Sequence, residues 1–223
     1  MWYRAWQSWY RTTPWTASTL TTTFTPPPTL PLTLTTTLPQ AQLFRWTTAW
    51  RRANVTRLVK AVHDAVKAAD PTLRFGVSPQ GNPDNDRNEQ YTDLSVWLTA
   101  SGADAVVDYL CPQIYWGYGY TLSSGSTRFA FENIVPAWCA MPRSGNVALY
   151  FGLGAYRVGT GDGGANADSV SQWCTGSALA RQVTDLRSAG AGGWALYRYG
   201  SLFRSDESGL AAAERAALTA LDG

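Results

Sequence analysis

Four short apolar runs of this chain each end in a cluster of aromatic and polar residues. They span residues 75–80, 107–116, 147–157 and 194–199. An apolar run of this length between glycines and prolines is typical of a strand buried on both faces. The polar tails then emerge at the carboxyl ends of the strands. Ligand sites of (β/α) barrels and open α/β sheets lie at that end, so the pattern predicts one of these folds.

Helical patterns alternate with these runs. Apolar spacing predicts helices over 51–70, 92–101, 129–140, 177–189 and 210–221, and strands over 73–78, 106–115, 147–153 and 193–197. Alternating strands and helices indicate a parallel sheet with α/β architecture. Four recognisable strands are half of an eight-stranded barrel, and 223 residues are fewer than the roughly 250 of a complete one.

Composition excludes several function classes. The net charge is +2 without a Lys/Arg run, which argues against nucleic acid. No apolar stretch reaches the roughly 18 residues of a membrane helix, and residues 2–11 lack the apolar core of a signal peptide. Cys111, Cys139 and Cys174 form neither a metal pattern nor a disulfide framework. The single histidine, His63, is expected on a helix surface, so Ser-His-Asp catalysis, zinc and other cofactors are not predicted.

The composition changes near Trp50. The first 50 residues contain no Asp, Glu, Gly or Val, are rich in Thr and Pro, and hold six of the eleven tryptophans. The rest has the composition of a globular domain. We therefore divide the chain into an irregular segment, 1–49, and a domain, 50–223.

Several segments resemble one protein family in order along the chain. Residues 51–59, 75–79, 107–117 and 149–157 are similar to the family-10-like bacterial glycosyl hydrolases, or glycosyl-hydrolase-like 10 domain. The resemblance implies a (β/α)8 barrel, an exported or cell-envelope location, and action on glycan strands such as those of the cell wall. The matching strands correspond to the fifth to eighth of that barrel. The expected fold is therefore α/β, a partial (β/α)8 barrel of the last four to five βα units after an irregular Thr/Pro-rich segment.

The fourth strand of that family carries a segment close to Val-Asp-Gly-Ile-His-Phe-Asp-Asp-Tyr-Phe-Tyr-Pro, whose carboxylates are the expected acid/base groups. This chain has Trp-Thr-Ala-Ser-Thr-Leu-Thr-Thr-Thr-Phe-Thr-Pro at 15–26. A one-base shift relates the two, because each codon ending in AC for Asp or Tyr becomes a Thr codon beginning with AC. We hypothesise that residues 1 to about 46–50 are a frameshifted reading of the fourth βα unit. The alternative is a Thr/Pro-rich linker, which the tryptophans fit poorly.

Glycoside hydrolysis usually requires two carboxyl groups beside the scissile bond. Asp84 and Asp86 follow the first predicted strand and are weak catalytic candidates, so the catalytic residues remain unassigned. Their alternative role is a solvated turn that caps the next helix. Asp162 lies in a Gly-rich loop, and Asp108 lies at the opposite end of its strand, where a structural role is expected.

Aromatic and amide side chains at the strand ends predict sugar binding. A tryptophan offers a flat apolar face to a pyranose, and glutamine offers donor and acceptor groups to hydroxyls. Alternatively, Tyr115 and Trp116 only close the top of the barrel. The predicted sugar-binding residues are Ser78, Gln80, Asn82, Gln113, Tyr115, Trp116, Tyr156, Arg157 and Tyr197.

Two of these residues carry a specific expectation. Arg157 could bind a carboxylate such as the lactyl ether of a wall sugar, or else form a salt bridge with a neighbouring loop. Tyr197 is preferred to Arg198 at the last strand, because neighbours in a strand face opposite ways.

Three interpretations of function remain open at this point. The first is a glycoside hydrolase domain that acts on bacterial glycan strands by carboxylate acid/base chemistry, here truncated and inactive. The second is a non-catalytic carbohydrate-binding domain, and the third is a misread product without function. In the first two interpretations the partner is a glycan. In addition, a half barrel has open sheet edges, which predict self-association.

Overall fold

The computed structural model describes residues 19–20, 40–204 and 208–222. The strands within these ranges are β1 (Thr19–Leu20), β2 (Gly76–Val77), β3 (Tyr109–Leu110), β4 (Gln113–Ile114), β5 (Ala148–Gly154) and β6 (Gly193–Tyr197). The helices are α1 (Gln40–Ala69), α2 (Pro83–Asn88), α3 (Leu94–Thr99), α4 (Phe131–Cys139), α5 (Ala178–Ser188), α6 (Tyr199–Phe203) and α7 (Leu210–Ala220). Short 3-10 turns occur at Gly102–Asp104, Ala155–Arg157 and Ser171–Cys174.

The strands form one parallel sheet whose order follows the chain. β3 and β4 are two parts of one strand, because Tyr109 lies opposite Ala148 and Gln113 lies opposite Gly152 in the same register on β5. The order is therefore β1, β2, β3 with β4, β5 and β6, with every pair parallel. A doubly wound sheet reverses its order at a switch point, whereas consecutive βα units of a barrel do not. The α/β fold is confirmed, and its topology is compatible with part of a (β/α)8 barrel.

The amino-terminal elements differ from the sequence-based boundaries. The helix predicted over 51–70 begins at Gln40, ten residues before the proposed domain boundary. Thr19 and Leu20, inside the segment compared with the fourth family strand, pair in parallel with Gly76 and Val77. The other residues of the Thr/Pro-rich segment, 1–18 and 21–39, lie outside the described part of the chain.

The two faces of the sheet have different compositions. The face toward the helices carries buried apolar side chains, including Phe75, Val77, Leu110, Phe151 and Leu153. They pack in one core with the apolar sides of the helices, and each full burial stabilises the fold by about 1.5–3 kcal/mol. This burial accounts for the apolar residues at alternate positions of the strands.

The opposite face carries glycines and tyrosines. A Cβ atom at Gly76 would lie 2.4 Å from the ring of Tyr109, so a larger residue does not fit there. Tyr109 packs edge-to-face on Tyr150 at 5.3 Å, and Arg74 donates to the Tyr150 hydroxyl at 2.6 Å. These side chains fill the amino-terminal end of this face.

His63 is buried, and the prediction that it lies on the surface is wrong. It shares the inner side of α1 with Val59, four residues earlier, and both are almost fully buried. Its ring meets Phe75 edge-on at 6.2 Å, and Nε2 lies 3.7 Å from Oδ1 of Asp108. The helix was predicted correctly, but the side that packs on the sheet was not.

Asp108 has the structural role expected of it. Oδ2 accepts hydrogen bonds from the Phe75 backbone at 2.7 Å and from Lys67 Nζ at 2.8 Å. Burial alone raises the pKa of Asp108, but the bonds from Lys67 and Phe75 outweigh burial and lower it. Asp108 thus ties α1 to β2 at the amino-terminal end of the sheet.

Candidate functional site

Three tyrosines meet at the carboxyl edge of the sheet. Tyr115 follows β4, Tyr156 lies in the turn after β5, and Tyr197 ends β6. The Tyr115 ring stacks on Tyr197 with centroids 5.8 Å apart, and Tyr156 stands edge-on to them at 5.6 and 6.1 Å. Parallel strands end at the same edge, so residues 41 positions apart come into contact. We call this group the tyrosine cluster.

The tyrosine cluster offers both apolar faces and neutral hydroxyls. Tyr197 is 53% exposed, while Tyr115 and Tyr156 are half-buried. Burial raises the pKa of Tyr115, so its phenol stays protonated at neutral pH. A protonated phenol both donates and accepts hydrogen bonds, as sugar hydroxyls require of a partner.

Arg157 places a cation beside the tyrosine cluster. Its guanidinium carbon lies 4.7 Å from the centre of the Tyr156 ring, and Nη1 donates to the Gly161 carbonyl at 3.4 Å. Nε is buried and has no hydrogen-bond partner among the described residues. Within the same residues no carboxylate lies within salt-bridge distance of Arg157, so the alternative salt bridge is not observed.

Gln113, Ser78 and Gln80 lie on the same edge but are partly engaged with one another. Gln113 Nε2 donates to the Ser78 carbonyl at 3.1 Å, and Ser78 Oγ donates to the Cys111 carbonyl at 2.8 Å. Gln80 forms an isolated parallel bridge with Gln113. These bonds extend the pairing between β2 and β4 toward the tyrosine cluster.

Asn82 and Trp116 lie apart from the tyrosine cluster. Asn82 is the N-cap of α2, where its side chain accepts from the Asp84 backbone N–H. Trp116 stacks on Phe129 at 4.8 Å with a 13° interplanar angle, and its carbonyl accepts a hydrogen bond from Gln182. One face of the indole is therefore covered, in agreement with the alternative that Trp116 closes the top of the fold.

The two weak catalytic candidates occupy different environments. Asp84 is exposed and forms a 2.8 Å ion pair with Arg128. Asp86 is only 1% exposed, and its Oδ1 accepts from the Gln80 backbone at 2.9 Å. Burial raises the pKa of Asp86 to about 7, although the bond from Gln80 partly opposes this shift.

The expected solvated turn is therefore wrong for Asp86. The residue lies on α2 and faces inward, where it holds the backbone at the end of β2. Its carboxyl group is therefore not exposed at this edge of the sheet. No feature of the polar segment 79–90 distinguishes the inward residue from the exposed one.

Asp162 connects the loops around the tyrosine cluster, a role that sequence reasoning missed. The carboxylate is 4% exposed and accepts from the backbone of Gly117 at 2.7 Å, the backbone of Gly164 at 3.0 Å and Trp173 Nε1 at 3.2 Å. It thus joins the loop after β4 to the loop after β5. The available signal was an aspartate among glycines, since Gly161 and Gly163 have positive φ and let the chain wrap around the carboxylate.

Two negative findings apply to the described ranges. No group of three or more His, Cys, Asp or Glu side chains is arranged to hold a metal ion. None of the helices there is long and apolar enough to cross a membrane.

Comparison with known proteins identifies relatives of this chain. Residues 25–170 match the family model described as glycosyl hydrolase-like 10. The chain is 30% identical over 150 residues to glycosyl hydrolase YngK of Bacillus subtilis (strain 168), covering 60% of this chain and 26% of that protein. It is 29% identical over 124 residues to glycosyl hydrolase DigH of Escherichia coli (strain K12), covering 49% of this chain and 26% of that protein.

The chain therefore spans about a quarter of the length of these relatives. The family match covers about two thirds of this chain, and it includes Tyr115, Tyr156 and Arg157 but ends before Tyr197. The matched range begins within the Thr/Pro-rich segment and continues through β5. This chain belongs to the glycosyl hydrolase-like 10 family.

Proposed function

We propose that this domain is the glycan-recognising part of a glycoside hydrolase barrel. The observation that carries the proposal is the tyrosine cluster, in which three rings from successive strand ends share one edge. Aromatic faces bind the apolar sides of pyranose rings, and the phenol groups bind their hydroxyls. Tyr197 is the most exposed ring of the tyrosine cluster, and we expect it to make the first contact with a glycan strand.

Arg157 favours a glycan that carries carboxylates. Nη1 donates to the Gly161 carbonyl, and Nη2 beside it makes no hydrogen bond within the described residues. Arginine binds carboxylates with paired hydrogen bonds. The lactyl ether of a bacterial wall sugar has this chemistry. Such a substrate would place the protein in the cell envelope or outside the cell.

Hydrolysis itself requires two carboxyl groups at the bond that is cleaved. Three aspartates lie near this edge. Asp84 forms an ion pair at the surface, and Asp86 is buried. Asp162 is also buried, and its carboxylate accepts hydrogen bonds from three donors. We therefore propose that the acid/base pair belongs to the unit preceding α1, and that this chain is a truncated form that does not cleave glycans. We attribute the loss of these carboxylates to the frameshift, which sequencing of the encoding DNA tests. If the shifted reading frame does not encode the Asp-Asp-Tyr-Phe-Tyr-Pro segment, the frameshift hypothesis is wrong.

The pure protein is expected to bind denuded peptidoglycan strands without releasing reducing ends. Tyr197→Ala should weaken binding about three- to tenfold, the effect of losing one aromatic contact. Tyr199→Ala is the matched control, because Tyr199 is also exposed but lies outside the tyrosine cluster. Calorimetric titration measures both. Sustained hydrolysis, or equal losses in the two variants, would contradict the proposal.

Arg157→Gln is expected to distinguish charged from neutral glycans. It should weaken binding of denuded strands about tenfold, because a charge-assisted hydrogen bond contributes roughly 1.5–3 kcal/mol when it is buried and less when it is half-exposed. Binding of a neutral N-acetylglucosamine oligomer should change little. Calorimetric titration of both ligands checks this. An equal loss of affinity for the two glycans would show that Arg157 does not bind the carboxylate.

A further inference from the structure

Among the residues that the structure describes, β6 is paired with β5 and with no other strand. Gly192 N donates to the Leu149 carbonyl on β5 at 2.9 Å, and alternate residues of a parallel strand bond to the same neighbour. Trp194 and Leu196 therefore also direct their backbone groups toward β5. Gly193, Ala195 and Tyr197 direct their N–H and C=O groups the other way, where no strand of the described residues pairs with them.

The described strand at this free edge lacks three common protections against strand addition. Natural edge strands carry charges, proline or a bulge that prevent pairing with another chain. The segment Gly193–Tyr197 is Gly-Trp-Ala-Leu-Tyr, without charge or proline, and it pairs with β5 in an unbroken register. Ala195 and Tyr197 are both exposed.

We propose that a second copy of this chain pairs with the free edge of β6, antiparallel about a twofold axis at Ala195. In this register Ala195 faces Ala195 of the partner subunit, and Gly193 faces Tyr197 of the partner subunit. All outward-facing residues of the strand then fall in hydrogen-bonded pairs, and each such pair exchanges two N–H···O bonds. The edge is thus complementary to itself, as the interface of a twofold dimer must be.

The side chains fit the same register. Two alanines at the axis leave space for close approach of the backbones. The ring of Tyr197 lies across Gly193 of the partner subunit, an arrangement that shields a glycine at a strand edge. On the other face Trp194 opposes Leu196 of the partner subunit in the closer, non-hydrogen-bonded pair.

The other end of the sheet is a poorer partner for β6. The described part of β1 has two residues and β6 has five, so head-to-tail closure of β6 on those two residues would form fewer bonds than the β6 pair. The proposed contact is formed by main-chain groups of β6. It shares the side chain of Tyr197 with the proposed glycan site, whereas the test below substitutes Ala195, which lies outside the tyrosine cluster. The contact is smaller than a standard interface, so the dimer should dissociate on dilution.

Ala195→Pro tests the proposal, because it removes an N–H from the free edge and none from the ladder with β5. Ala195→Ser keeps that N–H and is the matched control. Light scattering after size exclusion, over low micromolar to near-millimolar protein, should show a monomer–dimer equilibrium for the wild type and Ala195→Ser. Ala195→Pro should lose at least about tenfold in dimer affinity.

Amide hydrogen exchange of the wild type gives an independent readout if the proline variant fails to fold, as circular dichroism would show. Protection at Ala195 and Tyr197 should rise with protein concentration, while Trp194 and Leu196 stay protected at every concentration. A wild type that is monomeric throughout, a fully dimeric Ala195→Pro, or open-ended aggregation would overturn the proposal. Concentration-independent protection of Ala195 would do so as well.

Discussion

Replacing Asp86 with asparagine is expected to remove a pH dependence from the free energy of unfolding. As the pH rises from 4 to 8, the free energy of unfolding of the variant should increase relative to that of the wild type by up to about 4 kcal/mol. This is the free energy that corresponds to a pKa raised from the ordinary value near 3.9 to about 7. Urea unfolding at several pH values measures it.

The sign follows from proton uptake. In the folded protein burial keeps Asp86 protonated up to a pKa of about 7, whereas in the unfolded chain it ionises near pH 4. Folding therefore takes up a proton between these values, and stability falls as the pH rises from 4 to 7. Above pH 7 this contribution becomes constant.

Asp84→Asn is the matched control for this experiment. Asp84 lies on the same short helix but is exposed, and its ion pair with Arg128 is of the surface kind that contributes about 0–1 kcal/mol. This variant should retain the pH dependence of the wild type. An Asp86→Asn variant that retains it too would show that Asp86 is ionised in the folded protein.

Asp162→Ala is expected to lower the free energy of unfolding by about 3–5 kcal/mol. The substitution leaves the Gly117 N–H and the Trp173 indole N–H buried, and the Gly164 N–H partly buried, without their acceptor. Each lost bond to a buried charge costs about 1.5–3 kcal/mol, and partial relaxation of the loops recovers some of this. Because the carboxylate joins the loops that flank the tyrosine cluster, glycan binding should weaken as well.

Urea unfolding followed by circular dichroism measures the stability loss, and Trp173 fluorescence reports the local change. Asp168→Ala is the control, since Asp168 lies in the same loop but is exposed, and its carboxylate accepts a hydrogen bond from the Ser171 hydroxyl at the surface. It should change stability by about 0.5 kcal/mol or less. If Asp162→Ala were as stable as Asp168→Ala, the loops would not depend on this carboxylate.

The strands were predictable from the sequence because a strand that is buried on both faces consists of consecutive apolar residues. The run predicted over 106–115 contains β3 and β4, the run over 193–197 coincides with β6, and the run over 147–153 covers β5 except for its last residue, Gly154. Strand alternation also placed Tyr197 rather than Arg198 toward the neighbouring rings. Contacts among Tyr115, Tyr156 and Tyr197 follow from parallel strands ending at one edge.

Side-chain environments within the helices and loops were less predictable. Asp84 and Asp86 stand two residues apart in one polar segment, yet one is exposed and the other buried. Trp116 follows Tyr115 directly, and its partner Phe129 is 13 residues further along the same connection between β4 and α4. No local pattern contains the information about which partner arrives from elsewhere in the chain.

The amino-acid sequence by itself determined the parallel α/β architecture, the family, and the aromatic ends of the strands, because each depends on residues that are neighbours along the chain. Only the tertiary structure decided that His63 and Asp86 are buried, that Asp162 holds two loops together, and that Arg157 lacks a carboxylate partner among the described residues. Burial and pairing depend on which distant segments pack together, and packing is a property of the folded chain.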